Sequence, residues 1–245
     1  MRFYLSKFSL VIVIALLSSA ILSFGVFLWL SRPFPESSQR INVLDPRFLI
    51  AHAGGSVNGK TYLNNKEAVI CSLDKGFKYI ELDLFLNSDG KVICSHDFER
   101  HSNKLFTLSE AIRIWQDSPF VFVTDKISDY KILNNYFYDN RQNVIVEAFS
   151  VEDYCLLEKE GYIPMLSIGG RIGGLAKFLI ASIKTGRIIS RVVTTKDANG
   201  FLLRFYKRLG VTIAVYTVND VNYLKNHIGK DVDLVYTDFL QPSDL

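Results

Sequence analysis

Two hydrophobic patterns divide the chain. From Phe8 to Leu30 no residue carries a charge, and Leu, Ile, Val, Phe and Ala dominate. As a helix this run would extend about 34 Å, enough to cross the hydrocarbon core of a bilayer. Arg2 and Lys7 precede it, Trp29 lies near its far end, and Ser31-Arg32-Pro33-Phe34-Pro35 stops it with a charge and two prolines. The pattern predicts a single N-terminal transmembrane helix. A cleavable signal would need a shorter apolar region ending in a small-x-small site, and Ser18-Ser19-Ala20 falls in mid-run. The run is therefore read as an uncleaved anchor.

After the connector the period changes. Short β-branched or aromatic runs alternate with longer segments of helical period. Eight runs read as strands: Arg47–Ala51, Lys78–Leu84, Phe120–Thr124, Asn143–Ala148, Ile163–Ser167, Arg191–Thr194, Val211–Tyr216 and Leu234–Thr237. Helices are expected at Asn65–Lys75, Thr107–Gln116, Val151–Lys159, Ala198–Leu209 and Val221–His227. Strands alternating with helices imply parallel pairing, and eight such units favour a closed (βα)8 TIM-type barrel of the α/β class over an open sheet. The expected organisation is a basic N-terminus at 1–7, an anchor at 8–30, a linker at 31–46 and the barrel at 47–245.

Charge follows the same division. Residues 1–40 hold Arg2, Lys7, Arg32 and Arg40 against Glu36, which accounts for the whole formal net charge of +3. Residues 41–245 are neutral and offer no footprint for nucleic acid. A short basic N-terminus before a long folded domain favours a single-pass protein with an extracytoplasmic barrel, with the cytoplasmic face as the alternative. Cys71, Cys94 and Cys155 are odd in number and lack CxxC spacing, so they read as small buried residues rather than disulfides or zinc ligands. Nothing in the pattern fixes an oligomeric state.

A barrel places its chemistry at the C-terminal ends of its strands. Five of the eight expected ends carry capable groups: His52 after the first, Glu81 and Asp83 on the second, Asp125-Lys126 after the third, Thr217 and Asn219 after the seventh, and Asp238 after the eighth. Asp89-Gly90 signals a hairpin after the second strand. With a two-residue loop, Asp83 would lie directly opposite His96, with Glu81 on the same face. Clustered carboxylates repel unless a cation holds them, and these oxygen ligands suit Mg²⁺ or Ca²⁺. Asp125 would be the third ligand and Lys126 a phosphate partner. His52 and His96 would supply general acid and base. His101 and His227 read as surface residues, and Glu147 as either an extra ligand or a polar layer residue.

These residues resemble a known family. His52-x-Gly54, Glu81-x-Asp83, the Asp89-Gly90 turn, His96-Asp97, Thr217-Val218-Asn219 and Thr237-Asp238 are similar in order to the glycerophosphodiester phosphodiesterases, among the barrel phosphodiesterases related to phosphatidylinositol-specific phospholipase C. The resemblance covers roughly 48–242. It implies a divalent metal on Glu81, Asp83 and Asp125, acid–base work by His52 and His96, and cleavage of a phosphodiester by water or a neighbouring hydroxyl.

The chain also departs from the family pattern. His52-Ala53-Gly54 replaces His-Arg-Gly, Leu63-Asn64-Asn65 replaces Glu-Asn-Thr, and Asp125-Lys126 replaces Glu-x-Lys. Such a pattern looks like a divergent His-Ala-Gly-Gly branch. The short distance from Asp97 to Thr107 leaves no room for a cap, so a wide mouth and a lipid-linked substrate are expected. Gly169-Gly170-Arg171-Ile172-Gly173-Gly174 reads as a flexible loop, with Arg171 as a substitute phosphate ligand, and Tyr216 as a residue stacking on the substrate alcohol. Two alternatives stay open: a phospholipase or sphingomyelinase-D-like lyase leaving a cyclic phosphate, and a degenerate barrel serving as a binding module.

Overall fold

The computed structural model describes residues 12, 15–19, 21, 23, 25, 49–96, 105–127, 129–169 and 172–242. Met1–Gln39 and Arg40–Leu245 form two compact units. In the first, the described residues are helical. Among the described residues no helix is long and apolar enough to cross a membrane, and most of the expected anchor at 8–30 lies outside them.

Among the described residues nine strands build the second unit: β1 (Leu49–Ala51), β2 (Tyr79–Leu86), β3 (Val92–Cys94), β4 (Val121–Asp125), β5 (Val144–Ala148), β6 (Ile163–Ser167), β7 (Arg191–Thr195), β8 (Thr212–Tyr216) and β9 (Leu234–Thr237). All pair in parallel except β3, which is antiparallel to β2, and β1 pairs with both β2 and β9. Eight strands therefore close into the expected barrel. Its helices are α1 (Lys66–Asp74), α2 (Leu108–Asp117), α3 (Asn134–Phe137), α4 (Val151–Lys159), α5 (Ile172–Thr185), α6 (Gly200–Arg208) and α7 (Val221–His227).

Local signals start these helices where the polar residues fall. Asn65, Thr107, Ser150, Asn199 and Asp220 each accept a backbone N–H bond at a helix start, and Glu110 and Asp153 complete capping boxes. Each cap contributes about 1 kcal/mol by satisfying an otherwise orphaned donor. Helix α5 differs from the sequence expectation. Ile172-Gly173-Gly174 is its first turn rather than the end of a flexible loop. A Cβ at Gly174 would lie 2.1 Å from the Ile168 carbonyl, so the glycine permits this close start instead of marking flexibility.

Side-chain alternation sorts the strands into two layers. One phase buries Ile80, Leu82, Phe122, Val146, Val192, Ile213 and Val235 between sheet and helices. The opposite phase fills the barrel with Ile50, Val123, Ile145, Met165, Val193, Ala214, Leu234 and Tyr236. Burying each such side chain fully is worth roughly 1.5–3 kcal/mol. Continuing this inward phase two residues further gives His52, Asp125, Glu147, Ser167, Thr195, Tyr216 and Asp238. The apolar layer is thus the floor on which the polar mouth stands.

Candidate active site

Strand register assembles the acidic centre. Asp83 and Asp125 are direct partners across β2 and β4, and Thr124 pairs with Val146, so Glu147 follows at the same level on β5. Glu81 lies one inward step below Asp83. One ligand oxygen each from Glu81, Asp83 and Asp125 lie within 4.8 Å of one another. Among the described residues, two of these carboxylates each keep a buried oxygen without a hydrogen bond, Glu81 Oε1 and Asp125 Oδ1. Buried acceptors of that kind are costly unless a cation or proton meets them. Oxygens at this separation span one Ca²⁺ at about 2.4 Å, and a slight contraction fits Mg²⁺ at about 2.1 Å. The donor set suits a hard divalent cation.

Electrostatics express the same crowding. Burial, and then the Asp83 charge, push Glu81 up to about 8. Burial pushes Asp125 well above the usual carboxylate range, reinforced by Glu81, Asp83 and Glu147. Glu147 rises to about 7, chiefly through burial, although Ser167 hydrogen-bonds it. Asp83 goes the other way. Burial opposes its ionisation, but hydrogen bonds from Asp125, Lys126 and Asn64 hold it below the usual value.

The β1–α1 loop frames this centre. A 3₁₀ turn at His52–Gly54 aims the Ala53 N–H at Glu81 Oε2, 2.7 Å away. The space needed here explains two small residues. Gly55 has φ 94°, and a Cβ on it would lie 2.2 Å from Ser72 Oγ, which itself donates to the Gly54 carbonyl at 2.7 Å. Val57 and Lys60 exchange backbone bonds around Asn58-Gly59, both with positive φ, forming a small hairpin that returns the chain to Asn64. Asn64 is buried; its Nδ2 donates to Asp83 Oδ2 at 2.7 Å and its Oδ1 accepts from the Asp83 N–H at 2.9 Å.

His52 is oriented from across the barrel seam. Its Nδ1 lies 2.9 Å from Asp238 Oδ1, and Asp238 Oδ2 accepts from Asn219 Nδ2 at 3.0 Å. Asn219 Oδ1 in turn receives Thr237 Oγ1–H and the N–H groups of Asp238 and Phe239. Burial lowers the imidazole's pKa, but the Asp238 bond and the charges of Glu81, Asp238 and Asp83 outweigh it and raise the value. Asp238 itself is lowered: burial opposes, yet the bonds from His52 and Asn219 prevail.

No protein-family model matches the chain, and no curated protein matches it. Solved structures do. A glycerophosphoryl diester phosphodiesterase from Parabacteroides distasonis superposes with a TM-score of 0.60 at 15% identity, covering 80% of this chain and 84% of that one. One from Thermotoga maritima gives 0.57 at 21% identity, covering 78% and 94%. An Oleispira antarctica phosphodiesterase, solved in complex with the product sn-glycerol-3-phosphate, gives 0.61 at 14% identity, covering 78% and 92%. The fold is that of the glycerophosphodiester phosphodiesterases.

Within the barrel the sequence-derived residues distribute unevenly. Glu81, Asp83, Asp125 and His52 converge at one mouth. Lys126 joins them because the strand ends at Asp125: its φ of 58° turns the side chain back, and Nζ lies 2.7 Å from Asp83 Oδ1. Tyr216 faces inward, its ring 6.4 Å from that of Tyr236, whose buried hydroxyl has no partner among the described residues. Arg171 and His101 lie outside the described residues. His227, the last residue of α7, stacks on Tyr223 and bonds Asp231 in the turn that follows. Cys71, Cys94 and Cys155 are free, and only Cys94 is fully buried.

The hairpin register corrects the expectation for His96. Leu84 pairs with Cys94, and Ser95 donates its N–H to the Asp83 carbonyl, so Ser95 rather than His96 faces Asp83. The loop has three residues, Ser88-Asp89-Gly90, with Gly90 at φ 75°. Asn87 closes it by accepting the Asp89 and Lys91 N–H groups on Oδ1, which favours the longer turn over the two-residue one. His96 nevertheless reaches the mouth, exposed, with its ring centroid 4.9 Å from that of Tyr62.

Asn64 and Tyr62 were missed by sequence reasoning, which gave them no role. The Asp238–His52 pair was within reach of it: closing the barrel makes the first and last strands neighbours, and Ala51 pairs with Thr237. One further step along both strands brings His52 to Asp238.

Proposed function

We propose that the protein is a divalent-metal-dependent phosphodiesterase acting on a glycerophosphodiester-like or lipid-linked phosphodiester. The observation that carries this reading is the trio Glu81, Asp83 and Asp125, with two buried oxygens left unpartnered among the described residues, set beneath an imidazole braced by Asp238. Those three carboxylates would hold the cation. When bound, it supplies charge neutralisation and polarises the phosphoryl oxygens.

The chain's own groups do the rest. Lys126 presents its ammonium at the rim, where a non-bridging phosphate oxygen can compete for it with Asp83. Arg171 and Tyr216 are assigned supporting contacts to phosphate and alcohol. His96 takes the proton of the attacking hydroxyl as its oxygen bonds to phosphorus. His52, held in its protonated form by Asp238, gives its Nε2 proton to the alkoxide as the second P–O bond breaks. The products are an alcohol and a phosphomonoester when water attacks. In this reading 8–30 anchors the barrel to a membrane, on the extracytoplasmic side.

³¹P NMR of the full chain in detergent with glycerophosphocholine or lysophosphatidylcholine, with Mg²⁺ or Ca²⁺ and after chelation, tests the reading. A metal-dependent phosphomonoester signal supports hydrolysis. A cyclic phosphodiester would replace the hydrolase with a lyase, and an unchanged substrate across both diesters and metals would overturn the reading.

A further inference from the structure

Tyr62 stands between the two imidazoles. Its ring centroid lies 4.8 Å from that of His52, at an interplanar angle of 72°, and 4.9 Å from that of His96, at 78°. Both are edge-to-face contacts of the kind aromatic pairs prefer, each worth about 0.5–1.5 kcal/mol beyond area burial in general. One ring touching both places the imidazole centroids within about 10 Å of each other, a gap that can contain an in-line displacement and a hydrogen bond on either side.

The backbone holds the ring there at a cost. Tyr62 has φ 55°, a left-handed conformation that a bulky residue adopts only when its surroundings enforce it. Those surroundings are the Asn58-Gly59 hairpin on one side and Asn64 on the other, locked to the Ala53 carbonyl and to Asp83. The phenol tip points towards Thr217, just past β8, whose hydroxyl counters the rise that burial gives its pKa, and the ring reaches the hairpin end at His96. A residue needed only for packing would not have to meet both histidines while remaining 37% exposed at the mouth.

We propose that Tyr62 is the positioning residue shared by the acid and the base, fixing the planes and the separation of His52 and His96. The inference rests on the phosphodiesterase reading of the site. It assigns no contact between Tyr62 and the reacting atoms. The ring does the positioning, and the hydroxyl is not required for it.

The test compares Tyr62→Ala with Tyr62→Phe in the full-length protein, using bis(4-nitrophenyl) phosphate for turnover and ¹H–¹³C NMR of the histidine rings for geometry. Four histidines keep those spectra simple. In Tyr62→Ala, kcat should fall about 30-fold or more with KM nearly unchanged, because misplacement of catalytic groups acts on the chemical step. The His52 and His96 signals should move together, and Mn²⁺ affinity, measured by calorimetry, should stay at the wild-type value. Tyr62→Phe should restore the ring signals and most of the turnover. Unmoved imidazole signals with unchanged kcat would overturn the proposal. So would a loss of turnover accompanied by lost Mn²⁺ affinity, which would make Tyr62 a support of the loop alone. Wild-type protein that binds Mn²⁺ but cleaves no diester counts against the phosphodiesterase reading, and the ring signals then decide the positioning claim by themselves.

Discussion

His52 Nδ1 and Asp238 Oδ1 stand 2.9 Å apart across the seam where the first and last strands of the barrel meet. The contact leaves Nε2 as the imidazole nitrogen free to work at the mouth. It also ties the site to closure of the fold, because neither residue could find the other in an open sheet.

Replacing Asp238 by Asn keeps the shape but removes the charge and leaves the imidazole free to take the wrong tautomer. The expected result is a fall in kcat of about 10²-fold or more, within the range for loss of a positioned acid–base group. Metal affinity should be unchanged, as Asp238 is not among the three clustered carboxylates. Steady-state kinetics beside calorimetry with Mn²⁺ checks both statements.

The titration of His52 has a definite sign. Its pKa is raised from 6.5, so the proton-bound folded form is favoured. Its contribution to stability is fully present below the unfolded value near 6.5 and is lost as pH rises through the folded value. Two perturbations should pull the folded value down: Asp238→Asn, which removes the hydrogen-bonding anion, and metal loading, which neutralises the charges of Glu81 and Asp83. NMR titration of the His52 ring in chelated, metal-loaded and Asp238→Asn protein should give the chelated wild type the highest value.

Glu81 predicts an opposite-looking pH response from a carboxylate. Its pKa is pushed from 4.5 up to about 8, so the folded metal-free protein retains a proton that the unfolded chain releases. Its contribution to stability is therefore greatest below 4.5 and declines as pH rises towards 8. Glu81→Gln should flatten that decline and raise the chelated protein's Tm at pH 8 by a few degrees, since 1 kcal/mol corresponds to roughly 2–4 °C at this size. Thermal melts across pH 5–8 in chelator, a window chosen as roughly the range of maximal stability, check it.

Gly55→Ala tests the loop geometry. A Cβ there would meet Ser72 Oγ at 2.2 Å and would sit at φ 94°. Strain and displacement together should cost about 2 kcal/mol or more. Ser72→Ala should recover part of that loss in the double variant, by removing the atom in the way, and denaturant unfolding of the four proteins measures the coupling.

Much of this architecture is legible in the sequence because the barrel obeys simple periods. The runs at Ile163–Ser167 and Leu234–Thr237 fall where the strands do, since a buried parallel strand is a short apolar run between turn signals. Glu81, Asp83 and Asp125 are readable as one cluster because alternation along a strand and adjacency between strands suffice to place them. His96 was not placed correctly, because a one-residue change in loop length shifts the register, and Asn87 decides that length through its own side-chain bonds. Helix α5 escaped because Gly173 and Gly174 look like a loop until the Ile168 carbonyl beside Gly174 is seen. Tyr62 escaped for a different reason. Its role depends on a left-handed backbone and on two rings distant in sequence, and no local pattern encodes either.

The central claim is that Glu81, Asp83 and Asp125 together bind one divalent cation that the reaction requires. Calorimetric titration of Mg²⁺ and Ca²⁺ into chelated full-length protein, beside Glu81→Gln and with diester hydrolysis followed on the same samples, addresses it most directly. One site per chain, a Tm that rises with metal concentration and turnover that follows occupancy are expected, with loss of all three in Glu81→Gln. Wild-type protein that hydrolyses a diester at full rate in chelator, or that binds the cation equally well after Glu81→Gln, would contradict it.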